Sequence, residues 1–70
     1  MAKIQASMAG NVWKVLVKEG EEVKTGQDVV ILESMKMEIP ITAQADGKVQ
    51  KIYVNEGDFV NEADDLIEVE

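Results

Sequence analysis

The sequence predicts one all-β domain of eight short strands, and three observations carry that prediction. First, the chain repeats itself: displaced by 37 positions, Ile4–Glu33 lies over Ile41–Glu70 without a gap. Identities fall at Ile4/Ile41, Ala6/Ala43, Gly10/Gly47, Val12/Val49, Lys14/Lys51, Val17/Val54, Glu19/Glu56, Gly20/Gly57, Val23/Val60, Asp28/Asp65 and Glu33/Glu70. Eleven identities in 30 positions far exceed the roughly two that ordinary composition gives by chance. Second, turn residues punctuate both halves at matching places. Third, strand formers fill the intervals, with four short segments in each half. A gapless duplication of this kind implies a pseudo-twofold axis relating the halves.

The elements follow in order. Val12-Trp13-Lys14-Val15-Leu16-Val17 mirrors Val49-Gln50-Lys51-Ile52-Tyr53-Val54, and in an extended segment Val12, Lys14 and Leu16 alternate against Trp13, Val15 and Val17. Each run meets a turn, Lys18-Glu19-Gly20-Glu21 or Asn55-Glu56-Gly57-Asp58, where glycine permits a sharp reversal. A short strand around Val23 or Val60 precedes a second turn at Thr25-Gly26-Gln27 or Glu62-Ala63-Asp64, and Asp28–Glu33 or Asp65–Glu70 closes the half. There Val30, Leu32, Ile67 and Val69 face inward by alternation. Val29 and Leu66 break the alternation and are expected to be buried at a bulge where each strand begins. A helix over Leu32–Glu38 is the rival, since that stretch is rich in helix formers. Pro40 would cap it at barely two turns, too short to stand alone, and the β-rich sequence on both sides decides for strand.

Composition narrows the chemistry. Seventy residues make one domain, residues 1–70, which buries only about 60% of the surface of its unfolded chain. Cysteine and histidine are both absent. Disulfides, thiolate–metal sites, the usual general base and the partner of a serine nucleophile are absent with them. We therefore expect no catalytic residues and no metal site. All seven basic residues are lysines and the net charge is −7, which disfavours nucleic acid and anionic membranes. No apolar run approaches the ~20 residues of a membrane helix, and Met1-Ala2-Lys3 opens no signal peptide. The expectation is a soluble cytoplasmic protein.

What the duplication leaves over is Ser34-Met35-Lys36-Met37-Glu38-Ile39-Pro40. If Val29–Glu33 and Glu38–Ala43 are antiparallel neighbours, the chain reverses at Ser34–Met37 with no Gly, Asn, Asp or Pro to ease it. Conflict between local preference and global fold marks functional positions. Lys36 at the tip projects into solvent between Met35 and Met37, flexible apolar flanks that a partner can grip. The other lysines, Lys3, Lys14, Lys18, Lys24, Lys48 and Lys51, belong to solvated faces. Met8 is expected to fill a gap in the core, and Trp13, Tyr53 and Phe59 to pack in the core or at its rim. Glu33 and Glu38 flank the lysine. As a catalytic acid pair they would need a cleft that so small a core does not offer, so charge recognition suits them better.

Glu33-Ser34-Met35-Lys36-Met37-Glu38 resembles the Met-Lys-Met attachment motif of biotinyl carrier domains. The whole chain is similar to the biotin/lipoyl attachment family, most of all to its small free-standing bacterial, biotin carboxyl carrier-like members. Gly10-Asn11-Val12, Val17 to Gly20, Gly26 to Leu32, Ala43 to Gly47 and Val54 to Val60 fall where the family carries turns and strands. The resemblance implies a flattened barrel of two four-stranded antiparallel sheets, with both termini in one sheet and the lysine hairpin protruding from the other. It implies covalent biotin on Lys36, with Glu33, Met35, Met37 and Glu38 read by a biotin protein ligase. It also implies a monomeric carrier serving a biotin carboxylase and a carboxyltransferase. Lipoyl relatives carry Asp-Lys-Ala at the tip, so Met35 and Met37 point to biotin. The alternatives are a lipoyl or dual carrier, and an unmodified docking module of a carboxylase. Three departures stand out: Ser34 where alanine is common, Ser7 for the usual proline, and Ala63 for a frequent glycine. The gapless repeat leaves no room for the protruding thumb of some carriers.

Overall fold

A computed structural model describes residues 2–70, all of them in strands, turns and irregular segments. The strands are β1 (Ala2–Gln5), β2 (Gly10–Val15), β3 (Glu22–Val23), β4 (Asp28–Ser34), β5 (Met37–Thr42), β6 (Gly47–Ile52), β7 (Phe59–Val60) and β8 (Asp65–Val69). They form two four-stranded antiparallel sheets, ordered β1-β8-β6-β3 and β5-β4-β2-β7. Exchanging each strand for its repeat mate converts one order into the other, so the pseudo-twofold relation holds for the topology as a whole. The chain ends lie in one sheet and the β4–β5 hairpin in the other. Among the described residues no helix is long and apolar enough to cross a membrane.

The core lies between the sheets. Val12, Val23, Val29, Val30, Leu32, Val49, Leu66 and Ile67 are its most deeply buried side chains, and no polar side chain is buried among the described residues. Val29 and Leu66 are bulged as expected. The register slips from Asp28↔Thr42 to Val30↔Ile41 in one sheet and from Gln5↔Asp65 to Ile4↔Ile67 in the other, leaving each residue unpaired and fully buried. A second pair of bulges overturns the simple alternation expected for Val12–Val17. Between Val12↔Leu32 and Lys14↔Ile31 the extra residue is Trp13, and between Val49↔Val69 and Lys51↔Glu68 it is Gln50. An inserted residue shifts the side-chain phase by one. Val15 thereby turns inward like Val12 and packs against the core, while Trp13 and Lys14 stay exposed.

Trp13, Tyr53 and Phe59 all lie outside the core, and Phe59 is 63% exposed. Met8 is only half-buried and is not part of the core cluster, so it does not fill the gap expected of it. The seven lysines are exposed, as predicted.

Bonds between the halves occur in matched pairs. Gly20 N–H donates to the Val49 carbonyl and Gly57 N–H to the Val12 carbonyl, each at 2.8 Å. Glu56 accepts from the Val15 amide at 3.2 Å, and Glu19 from the Ile52 amide at 3.4 Å. One turn departs from symmetry. Asp46 accepts from the Thr25 amide (2.7 Å) and hydroxyl (2.9 Å), and the amide bond above all holds its carboxyl below the usual carboxylate value. The repeat mates of Asp46 and Thr25 are Ala9 and Glu62, which cannot form this pair.

Gly26 (φ 86°) and Ala63 (φ 71°) occupy corresponding turns with the same left-handed backbone. Gly26 N–H donates to the Ala43 carbonyl at 2.9 Å, and Ala63 N–H to the Ala6 carbonyl at 2.8 Å. A side chain at such a φ costs about 1–2 kcal/mol, against the ~0.4–1 kcal/mol by which glycine favours the unfolded chain. Ala63→Gly is therefore expected to stabilise by about 0.5 kcal/mol and to raise the melting midpoint by ~2–4 °C, with Gly26→Ala acting in the opposite sense. Thermal denaturation of both variants checks this, and a lower midpoint for Ala63→Gly would refute it.

Candidate functional site

The β4–β5 ladder runs from Asp28↔Thr42 through Val30↔Ile41, Ile31↔Pro40, Leu32↔Ile39 and Glu33↔Glu38 to Ser34↔Met37, which leaves Met35 and Lys36 as a two-residue loop. Both loop residues have positive φ, 51° and 63°. Positive φ at both central positions is the signature of a type I′ turn, whose twist suits the flanking strands but which favours Asn-Gly and similar pairs. Methionine and lysine accept that backbone at about 1–2 kcal/mol each. What holds them there is the ladder below, anchored by Leu32 and Ile41, both buried, and by half-buried Ile39.

Gly10 lets β2 lie close beneath the hairpin. A Cβ at that position would stand 2.9 Å from the Glu33 carbonyl oxygen and 3.4 Å from the Ser34 Cβ. Glycine there sets the spacing between β2 and the end of β4, the strand from which the tip projects.

The side chains expected from the sequence converge on this tip. Lys36 is exposed and, among the described residues, makes no salt bridge or hydrogen bond. Met35 is 90% exposed and Met37 64%, so neither is spent on the core. Glu33 and Glu38 face each other across the strands on the exposed side of the sheet. Like charges directly opposite are unfavourable in a ladder, so this pair does not serve the sheet itself. Two open grooves, of about 410 Å³ lined in part by Val15, Glu19, Ile52 and Glu56 and of about 290 Å³ lined in part by Glu22, Asp46 and Glu70, do not include Glu33, Lys36 or Glu38. The arrangement offers an exposed lysine amine on a stiff support with no enclosure around it. Sequence reasoning did not single out exposed Trp13 and Phe59 on the sheet beside the hairpin. The signal was present in the repeat, where their mates are Gln50 and Glu22.

All seven lysines are exposed, and among them Lys36 alone stands on a two-residue hairpin tip at positive φ, the build expected of an attachment domain. The family model described as biotin-requiring enzyme, of the biotin/lipoyl type, matches residues 2–69. The chain is 56% identical over 66 residues to the biotin/lipoyl attachment protein of Bacillus subtilis, covering 94% of this chain and 90% of that protein. The lipoyl domain of the Azotobacter vinelandii 2-oxoglutarate dehydrogenase complex superposes with a TM-score of 0.75 at 29% identity, covering 96% of this chain and 95% of that one. The urea carboxylase of Kluyveromyces lactis superposes with a TM-score of 0.91 at 32% identity over 97% of this chain, which corresponds to 6% of that enzyme. This chain belongs to the biotin/lipoyl attachment family.

The strain at the tip is open to test. Asparagine tolerates the left-handed region better than methionine does, and Met35 has almost no packing to lose. Met35→Asn is expected to raise the melting midpoint by ~2–4 °C, corresponding to about 0.5 kcal/mol. A lower midpoint in thermal denaturation would show that contacts of the Met35 side chain outweigh the backbone strain.

Proposed function

We propose that the chain is a biotin carboxyl carrier whose Lys36 amine bears the biotin, and that it carries out no catalysis itself. The observation behind this reading is the tip: an unencumbered lysine between two exposed methionines, on a strained turn, in a chain of the biotin/lipoyl family. The site fits a covalently tethered group, because an amide bond needs only the amine and room in front of it. A biotin protein ligase presents biotin as its acyl-adenylate. The Lys36 amine attacks the acyl carbonyl, the new C–N bond forms as the bond to AMP breaks, and the amine gives up a proton. The ligase supplies the base that takes this proton. Met35, Met37, Glu33 and Glu38 are the residues this ligase reads at the hairpin. Once attached, biotin carries a carboxyl group from a biotin carboxylase to a carboxyltransferase. The domain contributes tethering, which keeps the reactant near both active sites without release. We place this carrier, as a monomer, in the cytoplasm.

Lys36→Arg tests the assignment, since a guanidinium stays protonated and cannot act as the nucleophile. With a biotin protein ligase, biotin and ATP, wild-type protein is expected to gain the mass of one biotinyl group and the variant none. Biotin on any other lysine of the variant would overturn the assignment.

A second reading, lipoate on the same lysine, draws on the backbone likeness to a lipoyl domain. The intact mass of the protein from its native host separates the two. Replacing Met35 by Asp and Met37 by Ala is expected to lower the rate with biotin ligase and raise it with lipoyl ligase. Unchanged rates with both enzymes would place the discrimination elsewhere on the domain.

A further inference from the structure

The duplication supplies an internal control for the surface. On the outer face of the β5-β4-β2-β7 sheet, one row runs Phe59, Asn11, Glu33, Glu38 and the next Lys14, Ile31, Pro40, as the strand registers place them. The Lys14 ammonium lies 5.5 Å from the centre of the Trp13 ring, which puts that ring on the same face. Trp13 is 41% exposed, Pro40 is exposed and Ile31 half-exposed. The repeat mates of Trp13, Ile31 and Phe59 are Gln50, Glu68 and Glu22, and the same displacement carried one position past the repeat sets Lys3 against Pro40. Four apolar positions on the lysine-bearing sheet are thus polar or charged on its twin.

Part of the twin face is paired. Gln50 donates to Glu70 at 2.6 Å, the Tyr53 hydroxyl donates to Glu68, and Lys3 pairs with Asp65 at 3.5 Å. On the lysine-bearing face, among the described residues, the side chains of Asn11, Glu33 and Glu38 have no hydrogen bond or salt bridge. Glu22 and Lys48 on the twin face are likewise without a side-chain hydrogen bond or salt bridge, so what sets the lysine-bearing face apart is the exposed rings of Trp13 and Phe59 beside unpaired carboxylates. Contiguous apolar surface rimmed by polar groups marks an interaction site, and tryptophan is favoured at interface anchors.

We infer that this outer face is a docking surface for the biotin-attaching ligase, with Trp13 and Phe59 as anchors and Glu33 and Glu38 meeting lysine or arginine on the enzyme. The inference rests on the biotin reading of Lys36. Position and charge select this occupant. Glu33, in the first row, lies one residue from the end of β4 and three residues from Lys36. An enzyme that must hold the lysine nitrogen itself at an acyl-adenylate has to fix the hairpin closely, and the sheet face below is the rigid surface from which to do so. Enzymes that meet the far end of a flexible arm have less need of that grip. A second copy of the chain is disfavoured, because it would bring another net charge of −7 against unpaired carboxylates. A basic surface around an apolar centre complements the face.

The test replaces the anchors with residues this scaffold already carries at the mate positions, Trp13→Gln and Phe59→Glu, alone and together. The control acts on the opposite face, Gln50→Ala with Glu68→Ala. Steady-state biotinylation by a biotin protein ligase is measured with the protein as the varied substrate. The double anchor variant is expected to raise KM by about tenfold or more with kcat within about twofold of wild type, and the control pair to leave both constants unchanged. Far-UV circular dichroism and melting midpoints establish folding, and if the double variant unfolds, Phe59→Glu alone on its two-residue edge strand carries the comparison. An unchanged KM in folded anchor variants, or an equal rise in the control pair, overturns the inference. Wild-type protein that takes no biotin at all overturns the biotin reading instead.

Discussion

Neither half of this domain holds a sheet of its own. Of the six strand pairings, β1–β8, β3–β6, β4–β5 and β2–β7 each join strands from different repeats. Only β2–β4 and β6–β8 are internal to one half. The Gly20–Val49 and Gly57–Val12 hydrogen bonds and the Glu19 and Glu56 carboxylates on the Ile52 and Val15 amides stitch the same seam. Folding is a mutual closure, and the single covalent connection between the repeats is the β4–β5 turn. A chain of this size has a small margin of stability, yet its connecting turn is bounded on both sides by strands that the entire structure locks in place. That is where a turn can carry residues chosen for something other than turning.

Met35 and Lys36 use that freedom. Two non-glycine residues at positive φ oppose the ladder by a few kcal/mol at most, and the Glu33–Glu38 pair adds like-charge repulsion at the base of the hairpin. An Asn-Gly tip would fold more readily and present no amine. Rigidity follows from the same construction, because a two-residue loop has little slack and the Lys36 nitrogen moves only through the rotamers of its own side chain.

Much of this was legible in the sequence. The repeat predicted the strand count, the twofold topology, the bulges at Val29 and Leu66, and the turn at Glu62-Ala63-Asp64. The lysine hairpin stood out as the segment without a copy. Other features were hidden for physical reasons. A bulge inserts one residue without any required residue type, so the phase shift at Trp13 and Gln50 leaves no mark in a pattern of alternating side chains. Large aromatic residues read as core by hydrophobicity, and only their register positions show that Trp13 and Phe59 face outward.

Comparison of the halves also separates residues that specify the fold from those that specify its use. Among the identical pairs, Ile4/Ile41, Ala6/Ala43, Val12/Val49, Val17/Val54 and Val23/Val60 are buried. Gly20/Gly57 holds positive φ, and a Cβ on either member of Gly10/Gly47 would collide with a neighbouring strand. Glu19/Glu56 reaches the Ile52 and Val15 amides of the opposite half. Each of these pairs meets a demand that the twofold architecture makes twice. The outward positions meet no such double demand, and there the halves part company: tryptophan against glutamine, phenylalanine against glutamate, proline against lysine. Proline and lysine both protect an edge strand from pairing with another chain, so Pro40 on β5 and Lys3 on β1 are different answers to one structural problem. Trp13 and Phe59 answer no structural problem that Gln50 and Glu22 leave unsolved, and an unneeded aromatic surface beside the lysine hairpin is best explained by what comes to rest on it.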